Sequence, residues 1–174
     1  MKFCSLCIVL FFTLVSAGPS GAAQDEFKVK AAMFYNFAKF VEWPANPSGS
    51  DSRITYCIAG KSRLTAPMQD LQGKLIKGKS VFVREIDRPA DVAECQVLFI
   101  AQSEKARLLS YLHHSGFHSI LTVSDLEQFA ESGGMIGFSE EDNKIRFDIN
   151  QEAAKKQGLR ISSHLLNLGR RVLR

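Results

Sequence analysis

The sequence predicts an α/β domain of three layers: a mostly parallel sheet flanked by helices, with a C-terminal β-hairpin at one edge. Three observations predict it. Strand-like and helix-like segments alternate between Arg53 and Val123, which requires right-handed crossovers between parallel strands. Val97–Ala101 (VLFIA) and Ser119–Val123 (SILTV) are continuously apolar, as strands buried on both faces are. Met135–Ser139 and Lys144–Asn150 are strand-like and flank a polar turn at Glu140–Asn143, the pattern of a hairpin.

The chain has 174 residues and opens on an export signal. Lys2 precedes an apolar run, Cys4–Val15, broken only by Ser5 and Thr13, and small residues follow to Ala23. Ala17 or Ala23 is the expected last residue removed. The run is well short of the roughly 20 residues a membrane-spanning helix needs. Residues 1–23 are therefore assigned to the signal and 24–174 to a single domain, expected to be exported and soluble. That length suffices for one real core.

Within the domain, Glu26–Trp43 reads as a helix. At about 100° per residue, Phe27, Met33, Phe34, Phe37, Ala38, Phe40 and Val41 share one broad face. Lys30 interrupts that face, so the first turn is expected to project beyond the core. Pro44 ends the helix, and Ala45–Ser52 is a polar loop. Arg53–Ala59 is a strand closed by Gly60, Ser62–Lys74 a helix, Ser80–Ile86 a strand and Asp87–Glu94 a loop around Pro89. Ser103 is expected to cap a helix through His114 that ends at Gly116. Asp125–Glu131 reads as a short helix before the break at Gly133-Gly134. Asn150 can cap a helix to Gln157, with Gly158 as its C-terminal cap. Ser162 or Ser163 caps a last helix, with Leu165, Leu166, Leu168 and Val172 facing inward.

The formal net charge of +4 is too small, and its basic residues too scattered, to indicate nucleic-acid binding. Arg170, Arg171 and Arg174 cluster at the end, where positive charge complements a helix C-terminus. Two cysteines, Cys57 and Cys95, survive cleavage. An exported chain with an even cysteine count favours a disulfide, with two buried thiols as the alternative. In a doubly wound sheet of order 2-1-3 the strands beside them are neighbours, so a bridge is geometrically possible.

Every chemical motif tested is incomplete. Gly60-Lys61-Ser62 follows a strand, but Thr55 stands where a phosphate-binding loop needs its first glycine. Gly133–Gly137 leads into a strand and not a helix, so it is no dinucleotide fingerprint. Its glycines are read as serving positive φ and close packing. Gly116 breaks the helical spacing between His114 and His118, and no other ligand lies near, so zinc is not expected at His113, His114 and His118. His164 beside Ser162 and Ser163 lacks a nucleophile elbow, and the serines read as caps. Asp148 and Glu140–Asp142 lie at or beside a turn, where carboxylates are normally solvated. No metal, no cofactor and no catalytic residue is expected.

The aromatic first helix remains. Its apolar arc is wider than one packing face needs, and Tyr35 and Trp43 lie toward its borders. This helix, ending in YNFAKFVEWP at Tyr35–Pro44, resembles the signature of the YfiR family of periplasmic proteins. GGMIGF at Gly133–Phe138, KIRFDIN at Lys144–Asn150 and AAKKQGLRISSHLLNL at Ala153–Leu168 resemble that family in the same order. The positions of Cys57 and Cys95 resemble a disulfide pair of the family, whereas a second pair found in some members is absent here.

The resemblance implies a periplasmic protein that is not an enzyme. Such proteins bind the periplasmic sensor domain of an inner-membrane diguanylate cyclase, hold it inactive and keep cyclic di-GMP and biofilm formation low. The expected contact residues are Tyr35 and Trp43, and a homodimer is a further expectation. Two other classes stay open. One is a periplasmic small-molecule-binding module, using the crevice near Gly60 and Ala101–Ser103, where α/β sheets tend to bind ligands. The other is a hydrolase, which lacks a nucleophile–base pair.

Overall fold

A computed structural model describes residues 20–44, 52–142 and 144–174, with side chains from Glu26 onward. The export-signal reading lies outside the described residues except for 20–23, and so does most of the loop 45–52. The elements are α1 (Ser20–Phe37), β1 (Val41–Glu42), β2 (Arg53–Ala59), α2 (Thr65–Gln69), β3 (Leu75–Ile76), β4 (Lys79–Ile86) and β5 (Val97–Ile100). They continue with α3 (Leu108–Ser115), β6 (Leu121–Ser124), β7 (Ile136–Glu141), β8 (Lys144–Asn150), α4 (Gln151–Lys156), β9 (Arg160–Ile161), α5 (Ser163–Leu168) and β10 (Arg171–Leu173). Short 3-10 helices cover Ala38–Phe40, Pro89–Glu94 and Gln102–Arg107.

Eight strands form one sheet in the order β10-β8-β7-β6-β5-β2-β4-β3, and β1 pairs separately with β9. Neighbours from β7 through β4 are parallel, as are β10 and β8, while β7–β8 and β4–β3 are antiparallel. The expected α/β class, the 2-1-3 order of the first three long strands and the hairpin all hold. β10 adds outside the hairpin. β5 is buried at all four positions because it lies mid-sheet with helical layers on both faces.

Strand alternation divides the core. Tyr56, Ile58, Phe99, Val123, Phe138 and Phe147 point to the face under α1, where Ala31, Phe34, Phe37 and Ala38 meet them. Phe34 stands edge-on to Tyr56 and Phe99, with centroids at 5.3 and 5.7 Å. Phe37 packs on Phe147 at 5.0 Å. Cys57, Ala59, Leu98, Ile100 and Ile120 face the other way, toward Tyr111 of α3 and Val92.

Several expectations are corrected. The first helix stops at Phe37, tightens to a 3-10 turn and becomes extended at Val41, with φ −111° and ψ 139°. Trp43 is therefore not helical. The physical reason is a competing backbone partner: Val41 pairs with Ile161 in β9, and Ser162 N donates to Phe40 O at 2.9 Å. Lys30 does not project outward but is 9% exposed, because Glu26 lies 2.6 Å away on the same helix. The second helix keeps only Thr65–Gln69. The chain then turns at Gly73, forms β3 and passes into β4 through Lys77 and Gly78 at φ 49° and 78°. Two successive positive φ values define a tight hairpin turn whose twist suits the strands.

Ser103 does not cap a continuous helix. Residues 102–107 wind as 3-10 because Glu104 turns inward, 6% exposed. Residues 125–131 form turns and not a helix, interrupted by Gln128 at φ 54°. Asn150 and Ser162 do cap α4 and α5, accepting from Ala153 N and Leu165 N. In the last helix Leu165 is buried but Leu168 is 54% exposed, and Val172 lies in β10. Gly133 takes φ 99°, and a Cβ on Gly134 would collide with the Phe129 ring, as the reading of those glycines required.

Candidate functional site

Side chains singled out in the sequence fall in three places. The first is the flank of α1 and β1. Tyr35 is half-buried, and its hydroxyl donates to Leu75 O of β3 at 3.1 Å. Its ring stacks on Tyr56 at 6.5 Å, and the Lys39 ammonium sits 5.1 Å from its centroid. The Tyr56 hydroxyl donates to Tyr35 O at 2.8 Å; burial, and secondarily the neighbouring Tyr35, push its pKa up. Lys77 Nζ donates to Val41 O at 2.8 Å. The β3–β4 turn thus links the two halves of the expected surface. Tyr35 bonds to β3 just before the turn, and Trp43 follows Val41 by two residues. Trp43 packs half-buried against the larger core cluster, and its Nε1 has no acceptor among the described residues. Leu75, 66% exposed, adds apolar surface that sequence reading missed. The signal for it was Lys77-Gly78 between two short strand-like pairs.

The second place is the crevice after β2 and β5, where a small-ligand site was anticipated. It is filled by the chain's own side chains. A Cβ on Gly60 would lie 2.6 Å from Glu104 Cγ and would also meet Ser103 Oγ. Lys61 N donates to Ser103 Oγ at 2.9 Å, the bond a bound anion would otherwise accept. Glu104 is held by Arg107 at 2.5 Å. Tyr111 beneath is fully buried, and desolvation, with Glu104 beside it, pushes its hydroxyl up to about 12.

The third place is a cleft of about 580 Å³ at the C-terminal ends of β5 and β6. α1 contributes Glu26 and Lys30, the segment after β6 contributes 125–131, the hairpin contributes 137–140, Ile145 and Asp148, and the C-terminal segment adds Arg170 and Arg171. Lys30 Nζ lies 3.7 Å from Asp125, too far for a hydrogen bond but close enough for attraction. Burial raises the Asp125 pKa, and the Lys30 charge only partly offsets this. Asp148 behaves oppositely. Arg170 Nε and Nη2 donate to it, at 2.8 and 2.6 Å, and Arg171 joins at 2.8 Å. Those bonds, Arg170 first, hold its carboxyl below the usual range. Asp148 is therefore not a solvated turn residue but 5% exposed. Arg170 and Arg171 neutralise it and do not cap a helix.

The Cys57–Cys95 disulfide is formed, with Cα atoms 5.8 Å apart. It lies in the smaller core cluster, under Val92. His114 Nδ1 lies 2.8 Å from Ser110 O, and His113 packs against Phe117. Among the described residues no three His, Cys, Asp or Glu side chains are grouped to hold a metal. His164 rests on Phe40 at 5.1 Å, and Ser162 Oγ is engaged as a cap.

No curated protein matches the chain. A crystal structure of a conserved domain protein from Vibrio cholerae O1 biovar El Tor is similar in fold, with TM-score 0.54 and 9% identity. So is an ABC domain in complex with L-Trp from Streptococcus pneumoniae, with TM-score 0.56 and 9% identity. Each similarity covers 84% of this chain but 60% of the other. One sequence family matches residues 27–170, from the first aromatic of α1 to the arginine that grips Asp148. The chain belongs to that family, described as YfiR/HmsC-like.

Proposed function

We propose that the protein is a periplasmic negative regulator. It binds the periplasmic sensor domain of an inner-membrane diguanylate cyclase and represses cyclic di-GMP synthesis, which limits biofilm formation. Membership of the YfiR/HmsC-like family over residues 27–170 is the observation that carries this reading. The protein performs no chemistry. It prefers the inactive sensor conformation and shifts its population by the difference in affinity for the two states.

The contact surface in this reading is the flank built from Tyr35, Trp43 and Leu75. Tyr and Trp make favoured interface anchors, and both are half-buried, so much of each ring is already positioned before a partner arrives. Deleting the gene is expected to raise cyclic di-GMP, and a version lacking residues 1–23 is expected not to restore it. Unchanged cyclic di-GMP in cells expressing the cyclase sinks the regulator reading. Tyr35→Ala and Trp43→Ala are each expected to weaken binding to the isolated sensor domain by about 1–3 kcal/mol with the fold intact. Normal binding by both folded variants moves the interface elsewhere and leaves the function standing.

A further inference from the structure

The cleft between α1, the segment after β6, the hairpin and the C-terminal arginines takes no part in the proposed repression. Its volume, about 580 Å³, lies in the range of small-molecule sites. It opens at the C-terminal ends of parallel strands, where open α/β sheets place ligands. The full chain is basic, at +4, but the cleft is not. Six carboxylates line it against three bases, a formal charge of −3.

Each of those bases is already engaged. Lys30 is held by Glu26 at 2.6 Å, and Arg170 and Arg171 by Asp148 at 2.6 and 2.8 Å. Glu127 and Glu140 remain: both are exposed and neither has a basic partner among the described residues. Two polar atoms of the same lining, Asp125 Oδ1 and Ser139 Oγ, are buried without hydrogen-bond partners. Such atoms are costly unless something satisfies them. Gln128 in the same wall holds φ 54°, a conformation that clusters at functional sites in non-glycine residues. Phe129 and Phe138 supply an apolar backing.

We propose that this cleft binds a small organic cation, an ammonium compound with a short apolar body. Glu127 and Glu140 supply the attracting charge at the mouth. Ser139 Oγ and Asp125 Oδ1, the two atoms without hydrogen-bond partners, are the acceptors beneath, while Asp125 Oδ2 faces Lys30 at 3.7 Å. An anion would find every base already neutralised. A bare metal ion would find no three ligands grouped to hold it. A neutral apolar molecule would leave carboxylates desolvated and unpaired.

The test uses the mature, disulfide-bonded protein and amide-resolved NMR at about 0.1 M salt, where diffuse surface attraction is screened. Cadaverine is the probe, with pentanediol as its neutral counterpart and glutarate as its anionic one. Saturable shifts are expected at the amides of residues 125–131 and 137–140, with both counterparts at least about tenfold weaker. Glu127→Gln with Glu140→Gln is expected to weaken cadaverine by about tenfold or more. Glu152→Gln, an exposed carboxylate on α4, is expected to change nothing. Absence of saturable shifts in those two segments, equal binding of pentanediol or glutarate, or unchanged affinity in the folded double variant would each overturn the proposal. The selectivity of the unmodified protein decides the matter even if that variant misfolds, and neither outcome bears on cyclase repression.

Discussion

Under α1 the sheet is sealed by aromatic rings, whereas its opposite face is closed by a covalent bond and an ion cluster. The α1 side buries more than twice as many apolar residues as the α3 side, and it runs unbroken from β4 to β8. The α3 side has no buried apolar residue from β7 or β8 in its cluster. There the chain uses Asp148 with Arg170 and Arg171, while Cys57–Cys95 fastens the centre. Where apolar coverage is continuous, burial alone suffices. Where the helical layer thins to 3-10 turns and the short α3, specific links take over.

That contrast can be broken from either side. Phe34→Ala is expected to cost most, about 3–5 kcal/mol in urea unfolding, because a fully buried ring is lost from between Tyr56 and Phe99. A loss below 1 kcal/mol would mean that α1 is only loosely seated. Removing the disulfide, as Cys57→Ala with Cys95→Ala, is expected to cost about 2–4 kcal/mol, since the bridge closes a 38-residue separation. A neutral outcome would show the α3 face to be self-sufficient.

Asp148→Asn is expected to cost about 1–2 kcal/mol near neutral pH by weakening bonds to partly exposed arginines. The sign with pH follows from its lowered pKa. Its contribution is complete above the ordinary carboxylate pKa and is lost as pH falls through the lower folded value. Unfolding midpoints measured from about pH 6 to pH 2 should converge between wild type and Asp148→Asn. Asp125→Asn is the smallest change, a gain of up to about 1 kcal/mol at neutral pH, since Lys30 keeps Glu26. With its pKa raised, Asp125 favours folding at low pH and loses that contribution as pH rises through its folded value. A large loss in Asp125→Asn would make the Lys30 pair structural.

Sequence periodicity located β2, β5, the hairpin and both side-chain caps, because those depend on neighbours in the chain. It failed where a distant partner decided. Lys30 looked like an interruption until Glu26 and Asp125, the latter on a loop beyond β6, took up its charge. Val41–Trp43 continued a helical pattern, yet β9 claimed its backbone. Asp148 looked solvated because Arg170 and Arg171 were read as helix-terminal charge. Of the candidate site, Tyr35 and Trp43 could be named from their place on the apolar arc. The role of Leu75 and Lys77 depended on a turn that brings β3 back against α1.

The brevity of β3 constrains what a partner can do. An exposed sheet edge normally invites another chain to extend it by strand addition. Here the outermost strand is two residues long, leads into a tight turn and is followed by Lys77 and Lys79. At the far end β10 offers only three residues, carrying Arg171. Neither outermost strand can by itself template a long intermolecular ladder, and β4 beyond β3 is covered at Val81 by the backbone of Gly73 and Lys74 and at Val83 by the Gln72 side chain. In the proposed regulator, recognition then falls to side chains, so a partner is selected by shape and charge and not by the generic pairing of backbones. The same economy protects a β-rich protein from zipping onto copies of itself.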